Sequence, residues 1–168
     1  LAPGERAKPP APIVLLAQSE RGYENLMKLN SCLYLRGDGS LPHVTLSELE
    51  QHAEEVICLT GGPDGPLGRL LQGGQRPAAE ALMQRLGQAF GDRLYVELQR
   101  HPGDGGAPEA ERLTERGLIE MAYAMGLPLV ATNDVYFPKS DMYEAHDAML
   151  CVAEGAYVDQ SAPRRLLT

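Results

Sequence analysis

An α/β fold on a mainly parallel sheet is the class that this 168-residue sequence predicts. Three observations carry the prediction. Four short β-rich runs occur at 13–17, 56–60, 94–99 and 129–132, segments of helical spacing separate them, and glycine and proline gather at the junctions. Parallel neighbours need crossover connections, and the intervening segments are long enough to supply them as helices.

The elements follow in order. IVLLA at 13–17 is the first strand, and Ser19 can cap a helix carrying Tyr23, Leu26, Met27 and Leu33. Thr45-Leu46-Ser47-Glu48 is a capping box that opens a short helix reaching about Ala53. The strand at 56–60 runs into Thr60-Gly61-Gly62-Pro63-Asp64-Gly65. This is a tight strand-to-helix turn, because the spacings of the known phosphate-binding glycine motifs are absent. Ala79, Leu82, Met83, Leu86 and Phe90 form the stripe of a helix lying on a sheet, and Gly91 stops it. Leu118, Met121, Ala122 and Met125 repeat the stripe, with Gly126 at the C-terminal cap and Pro128 beyond. Ser140 begins a last helix, acidic in its first turn through Asp141 and Glu144 and closed by Gly155. The chain divides into a proline-rich loop at 1–12, one domain at 13–155 and a linker at 156–168.

Composition narrows the function. A 43% apolar and 23% charged sequence is that of an ordinary globular domain. The longest early apolar stretch is five residues, too short to span a membrane, and the first twelve residues hold four prolines and no apolar signal core. A cytoplasmic location follows as the expectation. A net charge of −8 leaves little surplus cation to neutralise phosphates, which argues against a direct grip on nucleic acid. Cys32, Cys58 and Cys151 are odd in number and far apart, so they read as reduced, mostly buried thiols and not as a zinc or disulfide framework.

The candidate chemistry lies at strand ends. In LYVELQRH at 94–101, Leu94, Val96 and Leu98 alternate with Tyr95, Glu97, Gln99 and His101. A polar face rising to His101 at the carboxyl end of a strand suggests a lined pocket; the alternative is an edge strand with a solvated face. LVATNDVY at 129–136 brings Asp134 to the corresponding end of the next strand, followed by Tyr136. An imidazole and a carboxylate so placed suit a shared metal ion, although Asn133-Asp134 reads equally well as a strand-ending turn. His146 shares a helical stripe with Met142, Met149, Leu150 and Ala153 and reads as a packed core histidine, whereas His43 and His52 read as solvated.

Five segments together resemble a known family: LLAQSERGYENLMKL at 15–29, ICLTGG at 57–62, GDRLYVELQRH at 91–101, GLPLVATNDVYF at 126–137 and EAHDAMLCVAEG at 144–155. Their order and spacing resemble the PHP (polymerase and histidinol phosphatase) domain of bacterial DNA polymerase III alpha subunits, the replicative branch more closely than the error-prone one. The resemblance implies a partial, distorted (β/α)7 barrel of the TIM-barrel-like PHP type that lacks its first strands. It also implies a metal cluster at the carboxyl ends of the strands, an H-x-H strand before residue 1 and a Mg²⁺-dependent polymerase core after residue 168.

Carried over by residue, His101 and Asp134 match metal ligands of the family, whereas Gly62 and Tyr136 stand where its metal-binding members place cysteine and histidine. A phenol titrating near 10 is a poor ligand at neutral pH, and glycine has no side chain to offer. The resemblance therefore implies a degenerate metal site, no catalytic residue and no cofactor in this region. Its partners are then the rest of the polymerase chain and the proofreading exonuclease subunit. The alternative is a phosphoesterase using Mn²⁺, Zn²⁺ or Fe in the complete domain.

Overall fold

A computed structural model describes residues 9–35, 41–101, 108–133 and 135–159. Among these residues four strands, β1 (Val14–Ala17), β2 (Val56–Leu59), β3 (Leu94–Gln99) and β4 (Leu129–Thr132), form one sheet in the order β1-β2-β3-β4. The helices are α1 (Glu20–Leu35), α2 (Leu46–Gln51), α3 (Pro66–Gln72), α4 (Arg76–Phe90), α5 (Glu109–Met125) and α6 (Tyr143–Glu154). Single 3₁₀ turns, Gly91–Arg93 and Ser140–Met142, precede β3 and α6. The sheet is parallel from β2 to β4, but β1 pairs antiparallel with β2, Val14 facing Leu59 and Ala17 facing Val56. β3 is interior to the sheet, which overturns the edge-strand alternative for 94–101.

Local signals explain most boundaries. Thr45 and Glu48 form the reciprocal capping box, the Glu48 N–H donating to Thr45 Oγ1 at 3.2 Å and the Thr45 N–H to Glu48 Oε2 at 2.7 Å. The Gly22 N–H donates to the Ser19 hydroxyl oxygen at 3.2 Å and starts α1. Gly126 and Gly155 adopt φ +66° as left-handed caps that end α5 and α6.

One face of the sheet carries the core. Val56, Cys58 and Leu94 pack with Leu29, Leu49, Leu86 and Phe90 from α1, α2 and α4. Val96 packs with Leu67, Met83, Leu118 and Met121 from α3, α4 and α5. The other face is formed by Val14, Leu16, Ile57, Leu59, Tyr95 and Val130, none of which joins either cluster. Val14 and Leu16 are 38% and 48% exposed, the remaining four half-buried. All the helices that build the core therefore lie on one side of a sheet whose opposite face is apolar over β1 and β2 and turns polar at Glu97, Gln99 and Thr132 of β3 and β4.

Several expectations are corrected. Tyr23 and Met27 are exposed, and α1 buries Gly22, Asn25 and Leu29 instead, because its inward face is set by close approach to the β1–β2 corner. His146 is half-buried and not a core residue; its ring lies against Tyr136 and Phe137, with centroids 5.5 and 5.3 Å away, while Met142 and Met149 of the same stripe are exposed. His43 and His52 are half-buried, not solvated, and the His43 ring is within hydrogen-bonding distance of the Leu41 carbonyl at 2.7 Å. The last helix starts at Tyr143 and not at Ser140. Cys58 and Cys151 are buried, and Cys32 is intermediate. Most of the 1–12 loop and of the 156–168 linker, together with Asp134, lies outside the described residues.

Candidate functional site at the strand ends

The turn after β2 fixes one side of the site. Gly61 and Gly62 hold φ of +81° and +56°, which side-chain-bearing residues adopt only with strain. The Gly65 N–H donates back to the Gly61 carbonyl at 2.8 Å, closing the turn immediately before α3. A Cβ on Gly61 would overlap the Pro12 carbonyl oxygen, so the segment before β1 lies directly over this turn.

Beside the turn stands Glu97 of β3, only 3% exposed. Its Oε2 accepts the Gly61 N–H at 2.8 Å, and its Oε1 accepts the Thr132 hydroxyl and the Gln99 carboxamide, the latter at 3.3 Å. The Glu97 backbone N–H donates to Thr60 Oγ1 at 2.9 Å. A buried carboxylate is tolerated only when its oxygens are satisfied, and donors from the turn after β2, from β3 and from β4 satisfy these. Sequence alternation placed Glu97 on the polar face but gave no sign that it is the hub.

Burial, and secondarily the charge of Glu97, pushes the Cys58 thiol up to about 12. Below pH 9 the folded and unfolded chains both keep this proton; between about 9 and 12 the unfolded chain releases it and the folded chain does not. Stability conferred by Cys58 is therefore lost as pH rises through that window. Its thiol is expected to resist iodoacetamide at pH 8 in the native protein and to react once urea unfolds it, with mass spectrometry reporting the site. Native-state alkylation of Cys58 at the rate of a free thiol would contradict this.

His101 lies just past the end of β3, where Glu111 is its neighbour among the described residues. Its Nδ1 is 2.5 Å from Glu111 Oε1, and its backbone N–H donates to Glu111 Oε2 at 3.0 Å. Glu111 sits in the first turn of α5, its side chain 4% exposed against 14% for His101. Next to this pair Arg100 binds Glu115 through two nitrogens, and its guanidinium holds the Glu115 carboxyl below its ordinary range. Sequence reasoning missed Glu111, which lies ten residues beyond His101 with no spacing motif joining them. An imidazole held through Nδ1 by a carboxylate is the arrangement found behind metal-ligating histidines, whose Nε2 meets the metal.

The two replaced positions are equally defined. Gly62 lies under Gln99, and a Cβ there would come within 3.0 Å of Gln99 Cδ and 3.2 Å of its Oε1. A cysteine at this position faces both an occupied space and an unfavourable φ. Tyr136 is 47% exposed and packs on the His146 ring. Among the described residues, no group of three or more His, Cys, Asp or Glu side chains can hold a metal ion.

A separate cleft of about 680 Å³ opens beside α1, α2 and α4, lined by Leu15, Leu26, Leu29, Val44, Leu49 and Leu86 among others. Among the described residues, His43 is its one titratable lining residue, and they offer it no acid–base pair. Among the described residues, no helix is long and apolar enough to cross a membrane.

The chain is 45% identical to the DNA polymerase III subunit alpha of Caulobacter vibrioides over 98% of its own length and 14% of that protein's. It is 39% identical to the Rickettsia bellii subunit over 86% of this chain and 12% of that protein, and 37% identical to the Treponema pallidum subunit over 92% and 13%. The chain thus spans about one-seventh or less of the length of these relatives. The model of the PHP domain family matches residues 2–101, which include both core-forming parallel strands β2 and β3 and end on His101. The chain belongs to the PHP domain family.

Proposed function

We propose that this chain is the C-terminal part of the PHP region of a replicative DNA polymerase III alpha subunit, a cytoplasmic DNA-directed DNA polymerase, and that it serves there as a scaffold. The observation that carries the reading is 45% identity to such a subunit along 98% of the chain. The metal site is degenerate: His101 and Asp134 are vestigial ligands, Gly62 and Tyr136 are lost ones, and no cofactor is needed by this region. Strands from the preceding polypeptide complete a distorted (β/α)7 barrel by covering the sheet face that carries Val14, Leu16, Ile57, Leu59, Tyr95 and Val130. A proofreading exonuclease subunit docks on the completed domain, and the Mg²⁺-dependent polymerase core lies in the remainder of the subunit. The net charge of −8 suits protein contacts better than phosphate contacts.

The test uses the full-length polypeptide. His101→Ala is expected to extend a primed template at a rate within about two-fold of the parent, because the residue takes no part in nucleotide transfer. Loss of extension with unchanged unfolding behaviour would overturn the scaffold reading.

The pairing of His101 with Glu111 favours one second reading, a phosphoesterase using Mn²⁺, Zn²⁺ or Fe in the complete domain. Elemental analysis separates the two. The scaffold predicts less than one such ion per chain, whereas near-stoichiometric multinuclear metal with hydrolysis of a phosphate ester would establish the enzyme.

A further inference from the structure

Glu97 presents an anomaly of charge. It is buried in the middle of the sheet, yet its hydrogen-bond donors among the described residues are neutral: a backbone N–H, a hydroxyl and a carboxamide. Those donors belong to three successive pieces of chain, namely the turn after β2, β3 itself and the end of β4. Thr60 adds a reciprocal bond by accepting the Glu97 N–H. Metal centres hold strand ends together by drawing carboxylates and imidazoles towards a shared charge. Here the carboxylate oxygens are turned instead onto protein donors, and Gln99 lies over Gly62.

We infer that Glu97 is a metal-independent pin holding the carboxyl ends of β2, β3 and β4 together, with Gln99 closing the space above Gly62. The inference deepens the proposed scaffold and rests on its degenerate site: it names what holds this end of the sheet when a cation does not. The pin is cross-strand by construction. It ties the Gly61 amide, at a turn with two left-handed residues, to Thr132 on the far side of β3. Removing the Thr132 hydroxyl therefore loosens a turn on another strand, which simple loss of a local contact does not do.

Hydrogen exchange on the full-length polypeptide, read by mass spectrometry, tests this in three arms: chelator, added Mn²⁺, and the variants Glu97→Gln and Thr132→Val. EDTA and Mn²⁺ are expected to leave exchange in the segment 59–63 unchanged. Each variant is expected to speed it about ten-fold, the scale of one lost hydrogen bond to a charged acceptor. Segments of α5 around Leu118 should keep their protection. Thr132→Val changes little volume, so it carries the test if Glu97→Gln fails to fold. Unchanged exchange at 59–63 in Thr132→Val overturns the pin while leaving the scaffold reading intact. Faster exchange on chelation overturns the degenerate-site reading and the pin with it.

Discussion

Gly65→Ala is expected to destabilise the domain by about 3 kcal/mol or more, in the range of forced overpacking against backbone. A Cβ at this position overlaps the Thr60 carbonyl oxygen and comes within 2.9 Å of Gly61 Cα. These atoms belong to main chain, so no rotamer change relieves the overlap. The φ of −66° at Gly65 is open to any residue, so the effect isolates close approach from backbone preference. Opening the turn also moves the Gly61 N–H away from Glu97. Gly87→Ala is the matched control. It lies in α4 with nothing within 4 Å of a new Cβ, and it should gain about 0.5–1 kcal/mol from helix propensity. Urea unfolding of the intact polypeptide, followed by exchange in segments 60–72 and 80–90, reads both. An alanine tolerated at Gly65 without loss of protection would refute the account of this turn.

Where residues act within one or two turns of helix, the sequence was readable. The capping box at Thr45 and Glu48, the stripe from Ala79 to Phe90 and the left-handed Gly126 are all local devices, and each sits where its pattern requires. The fold class followed from the same signals. The seven-residue α3 has too few turns for periodicity to declare it, and only the turn before it was visible. The antiparallel direction of β1 is a property of the sheet, since the same five apolar residues fit either direction. α6 illustrates the converse: its stripe is periodic, but Met142 and Met149 are exposed at 42% and 72%, because the described part of the chain places no core against them.

The site was legible in outline. Strand-end position and alternation located His101 and the polar face of β3, and the family resemblance identified Gly62 and Tyr136 as departures. Two carboxylates escaped, for different reasons. Glu97 was seen, but its partners come from three pieces of chain and no spacing rule joins Gly61, Gln99 and Thr132. Glu111 was not seen, because a helical first-turn glutamate reads as a dipole partner until its side chain is found buried against His101. Both become visible only when the strands are paired and α5 is docked.

The second large effect is expected at Gly22, in the first turns of α1. A Cβ there overlaps the Glu55 carbonyl oxygen and lies 2.9 Å from its carbonyl carbon. That corner is held from several sides. The Gln18 N–H donates to the Glu55 carbonyl at 2.9 Å, Asn25 Nδ2 donates to the Glu54 carbonyl at 3.0 Å, and Arg93 donates to the Val56 carbonyl at 3.0 Å. Glu55 itself takes φ +54°, so the corner already contains strain. Gly22→Ala must displace either α1 or the 53–56 segment, and either movement draws Leu29 away from Val56 and Cys58 in the first core cluster. Helix propensity favours alanine by about 1 kcal/mol, well short of the loss of about 3 kcal/mol from the overlap and the detached core residue. Glu55→Gly should act in the opposite sense, relieving a left-handed residue and stabilising by about 1 kcal/mol less whatever the Ser19 hydroxyl contributes to the Glu55 carboxylate. Combining the two separates the causes. If strain at Glu55 is what makes the corner rigid, Glu55→Gly should recover part of the Gly22→Ala loss; strict additivity in the double mutant would mean that packing of α1 alone sets the cost.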